Sequence, residues 1–131
     1  MDVFQTPGAF SWSELMCKDP AQAAEFYARL FGWTVETMPM PGDPENSYRV
    51  LKVGEVAVAG LMACPQAHIP PHWASYVTVA QVDDTVAQAQ ALGATVLMAP
   101  MEVPGVGRIA TLQDPQGAVI NVITYEMPAQ A

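Results

Sequence analysis

Several stretches of this chain bring together side chains that could do chemistry. The first is Trp12-Ser13-Glu14-Leu15-Met16. Alternation by two puts Trp12, Glu14 and Met16 on one strand face, with Ser13, Leu15 and Cys17 on the other. A carboxylate walled by an indole loses hydration, which favours its neutral form. Its pKa then rises toward the range that a general acid or base needs. Glu14 is therefore the candidate catalytic residue. The commoner fate of a strand glutamate is solvation or pairing with a cation, and Arg49 or Arg108 could serve as that partner. Arg108, in Gly107-Arg108-Ile109, is equally a candidate contact for a ligand anion.

Other groups are weaker. His68 and His72 lie in a Pro-rich stretch, where neither helix nor strand would aim both rings at one ion, so they read as surface histidines. Asp83-Asp84 stand where a helix begins, so capping and the positive helix end account for them. Cys17 and Cys64 have no metal-type spacing and read as reduced, buried thiols.

The elements that must position these groups repeat. A strand over 11–17 leads to Asp19-Pro20, a good cap and first position for a helix. Ala23, Phe26, Tyr27 and Leu30 form its apolar stripe, and Gly32 stops it. A strand over Trp33–Met38 follows, then a Pro/Gly/Asn turn at 40–46 expected to be mobile. A hairpin of Ser47–Val53 and Glu55–Ala63 turns near Gly54. After a Pro-rich linker, Cys64 to Pro71, the pattern returns. A strand runs from Trp73 to Val79, a helix from about Asp83 to Leu92, and a strand over Thr95–Met98. A loop with Pro100, Pro104 and Gly105 precedes strands Gly107–Gln113 and Ala118–Thr124, which flank the turn Asp114-Pro115-Gln116-Gly117. Gly32 with Gly93, Thr34 with Thr95 and Val35 with Val96 match at one offset, which marks an internal repeat. Residues 1–10 read as a loose lead-in and the tail after Glu126 as frayed.

Each half is thus βαβββ, with units at about 11–64 and 73–124 of one 131-residue domain. The expected fold class is α+β, two such units pairing into a curved mixed sheet around a concavity. Thirteen acidic against five basic residues give a net charge of −8. That surface repels phosphate backbones and anionic lipids, so neither nucleic acid nor membrane is an expected partner. No apolar run approaches the ~20 residues that span a bilayer, and the start lacks a signal peptide's basic and apolar regions. The expected location is cytoplasmic.

The same residues carry a resemblance. Asp19, Phe26-Tyr27 and Phe31-Gly32-Trp33 in the first unit, then His72-Trp73, Leu92-Gly93 and the run PGVGRIATLQDPQGAVINVIT from Pro104 to Thr124, resemble the glyoxalase / bleomycin-resistance / extradiol-dioxygenase superfamily. This is the vicinal oxygen chelate fold, and the likeness is greatest to its subgroup related to lactoylglutathione lyase. The resemblance implies a divalent metal held by His, Glu or Gln on the first and last strands of each unit. It places those positions on Trp12, on Gly60 or a neighbour, on Ala74 (or Trp73 if the register differs by one), and on Asn121. None offers an imidazole or carboxylate, so no metal and no other cofactor is expected. Homodimers are frequent in the superfamily and one is expected here, with the Pro-rich linker as the hinge of any exchange.

What is left for a ligand is an apolar lining with a few polar groups: Trp12, Met16, Met62, Tyr76, Thr78, Arg108, Asn121 and Ile123. Such a lining suits a small, flat or aliphatic organic molecule. Eight methionines could make its rim adaptable. The alternative for Trp12 and the methionines is plain core filling. Three functions compete: metal-independent binding of the sequestration or resistance type; a lyase or isomerase of the lactoylglutathione-lyase-like class with Glu14 as general base, metal-free or with an atypical metal site; and an accessory module without a ligand. The missing metal donors favour the first.

Overall fold

The computed structural model describes residues 1–40, 43–64, 66 and 68–126, apart from the side chains at 40 and 43–46. Its elements run β1 (Phe10–Cys17), α1 (Pro20–Phe31), β2 (Thr34–Met40), β3 (Asp43–Val53), β4 (Val56–Ala63), β5 (His72–Thr78), α2 (Val82–Ala91), β6 (Thr95–Val103), β7 (Gly107–Gln113) and β8 (Val119–Tyr125). The chain is α+β with two βαβββ repeats, as its internal periodicity implied. The turn expected at 40–46 and the linker expected at 64–71 fall partly outside the described residues, at 41, 42, 65 and 67.

Two compact units emerge, Trp12–Ala74 and Met1–Ser11 with the chain from Ser75 onward. In the first, the strand order is β2-β3-β4-β1, with β1 parallel to β4 and the other neighbours antiparallel. Helix α1 starts as its sequence dictates. Asp19 Oδ1 accepts the Gln22 N–H at 3.1 Å, Pro20 follows, and Gly32 closes the helix at φ 75° in the left-handed region. The helix covers one sheet face. Leu15, Cys17, Ala24, Leu51, Ala59 and Leu61 are buried there, with Tyr27, Trp33 and Val35 packed against them. Glu14 pairs in register with Gly60, and Gly60 with Val50, so these three residues share the opposite face.

The second unit repeats the scheme with order β5-β8-β7-β6, β5 being parallel to β8. Under α2 lie Val82, Val86, Ala110, Leu112 and Val122. Three expectations change here. Helix α2 is preceded by Gln81 without a side-chain cap; Asp83 and Asp84 sit inside its first turn, where their charge complements the helix end. Strand β6 continues past Met98 to Val103 and includes Pro100. It is the last strand in the order, its register shifts between Met98 and Met101, and an edge strand with a bulge tolerates a residue that cannot donate. Finally, residues 1–10 are tethered rather than loose. Gly8 N–H donates to Thr78 O at 2.8 Å, Thr78 N–H to Ala9 O at 2.9 Å, and Thr78 Oγ1–H to Val3 O at 2.7 Å. Phe4 meets Tyr125 edge-on at 5.0 Å, and the Tyr125 hydroxyl lies 2.7 Å from Ser11 Oγ. Among the described residues no helix is long and apolar enough to cross a membrane.

Leu61 is fully buried between β1, β3 and α1. Leu61→Ala should lower unfolding free energy in urea by about 2–5 kcal/mol. Burial is also the largest cause pushing the Cys17 thiol above its usual pKa, with Asp19 adding to it. The neutral thiol is the form the fold favours, so this contribution is complete below the unfolded thiol's pKa and is lost as pH rises through the folded one. Iodoacetamide should therefore label Cys64 well before Cys17 in native protein at pH 8, read by peptide mass. Equal rates would place Cys17 outside the core.

Candidate functional site

The face of the first unit not covered by α1 carries the candidate site. Register builds it. Glu14 on β1 lies beside Gly60 on β4; Met16 lies beside Met62; and Tyr48, two residues before Val50, falls on the same face of β3. Strand β4 separates β3 from β1, so a side chain joining them must cross it. Tyr48 does so. Its hydroxyl donates to Glu14 Oε2 at 2.7 Å and accepts the Trp12 Nε1–H at 3.0 Å. Glu14 is only 8% exposed, and a buried carboxylate needs such a donor. Trp12, Glu14 and Met16 thus share a face as the alternation implied, and the strand register adds Met62 to it.

Tyr48 is the residue that sequence reasoning missed. The signal was present: tyrosine is a β-former at an alternating position of a strand already assigned. Its connection to Glu14 depended on strand order, which the sequence does not state. Gly60 makes the crossing possible. A Cβ there would fall on the Tyr48 hydroxyl and lie 3.0 Å from Trp12 Nε1.

Of the expected arginine partners, Arg49 lies on the other sheet face and Arg108 is bound to carboxylates in the second unit. Arg49 is opposite Leu61 and Thr37, on the face that α1 covers, and it lies near enough to Cys17 to favour its thiolate. Arg108 is opposite Thr124 and two residues from buried Ala110, on the α2 side of its unit. Its Nε and Nη2 donate to Asp83 at 2.8 and 3.1 Å, and Nη1 to Glu102 at 3.3 Å. These carboxylates hold the Arg108 guanidinium above its ordinary pKa, Asp83 foremost. A shallow cleft of about 270 Å³ adjoins it, lined among others by Gln81, Glu102, Arg108 and Glu126. Arg108 does not share a face with Tyr76, Thr78, Asn121 and Ile123.

Those four do stand together on the second unit. Tyr76 pairs with Asn121 and Thr78 with Ile123, and all four are buried. The polar groups of Thr78 and Asn121 are occupied. Thr78 is covered by the chain start, as described. Asn121 Oδ1 accepts the Thr111 hydroxyl at 2.6 Å, and its Nδ2 donates to Ser75 O at 3.4 Å.

At the positions where the resemblance implies metal ligands, the donor chemistry does not suit a metal. Trp12 and Gly60 offer no ligand atom, Asn121 uses its amide within the sheet, and Trp73 donates its Nε1–H to the Tyr27 hydroxyl at 3.3 Å. His72 Nδ1 lies 2.9 Å from Pro70 O. Among the described residues no three His, Cys, Asp or Glu side chains come together to hold an ion.

Residues 12–123 match the family described as "Glyoxalase-like domain". The chain is 40% identical over 116 residues to "Putative glyoxylase CFP32" of Mycobacterium tuberculosis, covering 88% of this chain and 44% of that protein. It is 32% identical over 131 residues to "Anthracycline biosynthesis protein DnrV" of Streptomyces peucetius, covering 88% of this chain and 46% of that one. The chain therefore spans about half the length of the curated relatives it matches. Among solved structures, a Streptomyces coelicolor methylmalonyl-CoA epimerase with 2-nitronate-propionyl-CoA superposes at TM-score 0.68. Identity is 20%, over 93% of this chain and 100% of that one. The epimerase of Mycobacterium tuberculosis gives 0.64 at 17%, over 88% and 86%.

Asn121→Asp would set a carboxylate oxygen against the Ser75 carbonyl in a buried position. A loss of about 1–3 kcal/mol is expected in chemical denaturation at neutral pH. An unchanged midpoint would show that the Asn121 bonds do not carry stability.

Proposed function

Because this chain belongs to the glyoxalase-like domain family, we propose that it binds a small, largely apolar organic molecule without a metal. In this proposal the binding is of the sequestration or resistance type, and the protein acts as a homodimer. The observation that supports this reading is the Trp12–Tyr48–Glu14 chain over Gly60. It fills two positions where the superfamily resemblance implied metal ligands with an indole and a phenol. Met16 and Met62 flank it on the same face. Flat aromatic walls, pliable thioethers and one fixed carboxylate suit an organic molecule with few polar groups. A relative named for anthracycline biosynthesis is in keeping with a small organic ligand.

A second reading keeps the same residues. Glu14 would act as general base of a lyase or isomerase, removing a proton from a carbon beside a carbonyl. Its burial, its hydrogen bond from Tyr48 and the fold shared with methylmalonyl-CoA epimerases favour this version. The two readings separate on Glu14→Gln. Binding of the sequestration type survives that change with at most a modest loss, whereas a base-catalysed turnover is abolished.

Native mass spectrometry of freshly purified protein, set beside the same sample denatured, is the deciding measurement. A dimer retaining an organic mass and no stoichiometric metal is the expected result. One tightly bound ion per chain would overturn the metal-independent reading. Trp12→Ala should cut the retained fraction by about tenfold or more, the effect of losing one buried aromatic wall. An unchanged fraction would return Trp12 to a role in packing.

A further inference from the structure

The hydrogen bonds around Glu14 have a direction. An indole nitrogen can only donate, so Trp12 presents its N–H to the Tyr48 oxygen, and the phenol spends its own proton on Glu14 Oε2. Donation into the phenol oxygen polarises its O–H and strengthens the second bond, and low local dielectric enhances both. A charge-assisted O–H···O⁻ bond prefers about 2.5–2.7 Å, and the Tyr48–Glu14 distance is 2.7 Å. The phenol reaches this place only because position 60 has no side chain. Among the described residues, Glu36 on β2 and Lys52 on β3, which the register places on this face, form an ion pair with each other. Cys17 and Arg49 lie on the helix-covered face.

From this we infer that Tyr48 is the positioning residue of the site. Seated in the space that Gly60 leaves and oriented by Trp12, its phenol holds Glu14 in one rotamer as a hydrogen-bond-accepting carboxylate. The three residues Trp12, Tyr48 and Gly60 act as one device. Two of them stand where metal ligands were implied, and the device supplies by hydrogen bonding the fixed geometry that a metal would impose through coordination. The inference rests on the binding face proposed above, yet it can be tested without any ligand.

The experiment compares Tyr48→Phe, Gly60→Ala and the double variant with the parent, each first checked for folding by circular dichroism. The readouts are the ¹⁵N–¹H resonance of the Trp12 indole and the pH titration of the Glu14 side-chain carboxyl followed by ¹³C. Tyr48→Phe removes the donor, so the Trp12 resonance should move and the Glu14 titration midpoint should shift upward. Gly60→Ala should reproduce both changes by displacing an intact phenol, and the double variant should add nothing further. Unchanged signals in Tyr48→Phe would overturn the inference, as would additive effects of the two substitutions. Should Gly60→Ala fail to fold, Trp12→Phe takes its place. It removes the indole N–H together with its ring while leaving the Tyr48 phenol in place, and should raise the Glu14 midpoint less than Tyr48→Phe does; no rise would count against the relay. Ligand retention by native mass spectrometry is read separately. A shifted titration in a protein that binds nothing would uphold Tyr48 as the positioning residue and sink the binding function.

Discussion

A buried carboxylate needs hydrogen-bond donors, and the first unit is arranged around meeting that need for Glu14. Alternation along β1 sends Leu15 and Cys17 under α1 and therefore turns Glu14 to the other face. Its register partner on the adjacent strand β4 is Gly60, which has no side chain to offer. The donor comes from β3, one strand further away. Neighbouring strands lie about 4.8 Å apart, so joining β3 to β1 means spanning roughly 10 Å. A tyrosine can do this only over a bare backbone. The identity of residue 60, the rotamer of Tyr48 and the ionisable group at 14 are thus consequences of one geometric problem.

The repeat shows how one scaffold was turned to two ends. In each unit a helix covers one sheet face with aliphatic residues, and the first and last strands run parallel. In the first unit the residue paired with β1 is Gly60, and the vacancy is filled by a phenol with a carboxylate beside it. In the second the corresponding pairing sets Tyr76 against Asn121, and Asn121 is tied to Thr111 and Ser75 within its own sheet. Thr78 is closed off by the chain start. The proposed ligand face is the one with Trp12 and Glu14, where indole, phenol and carboxylate form one hydrogen-bonded chain. Fold similarity alone does not carry function.

The acidic character of the chain acts in a different place. Asp83 and Glu102 bind Arg108, the most evident cation for an anionic ligand, at the α2 end of the second unit. Both partners are substantially exposed, so the pairs contribute little to stability. Their larger effect is to occupy the guanidinium. Arg108 thereby becomes part of the helix junction.

What the sequence determined by itself was everything governed by short-range periodicity. The Asp19-Pro20 start and Gly32 stop of α1, the alternation of β1, the closing turn at Asp114–Gly117 and the repeat all follow from local rules, and the fold class follows from their order. The face shared by Trp12, Glu14 and Met16 was legible because alternation is local, whereas Met62 joins it through the β1–β4 register. Only tertiary structure decided who meets Glu14. Tyr48 and Glu14 are 34 positions apart, and their contact depends on β4 lying between their strands in a particular register. The same holds for the tethering of residues 1–10 on β5, for Pro100 being tolerated on an edge strand, and for Arg108 turning toward α2. Each depends on which strand neighbours which. That choice is made by the packing of whole elements and leaves no mark at the spacing of neighbouring residues.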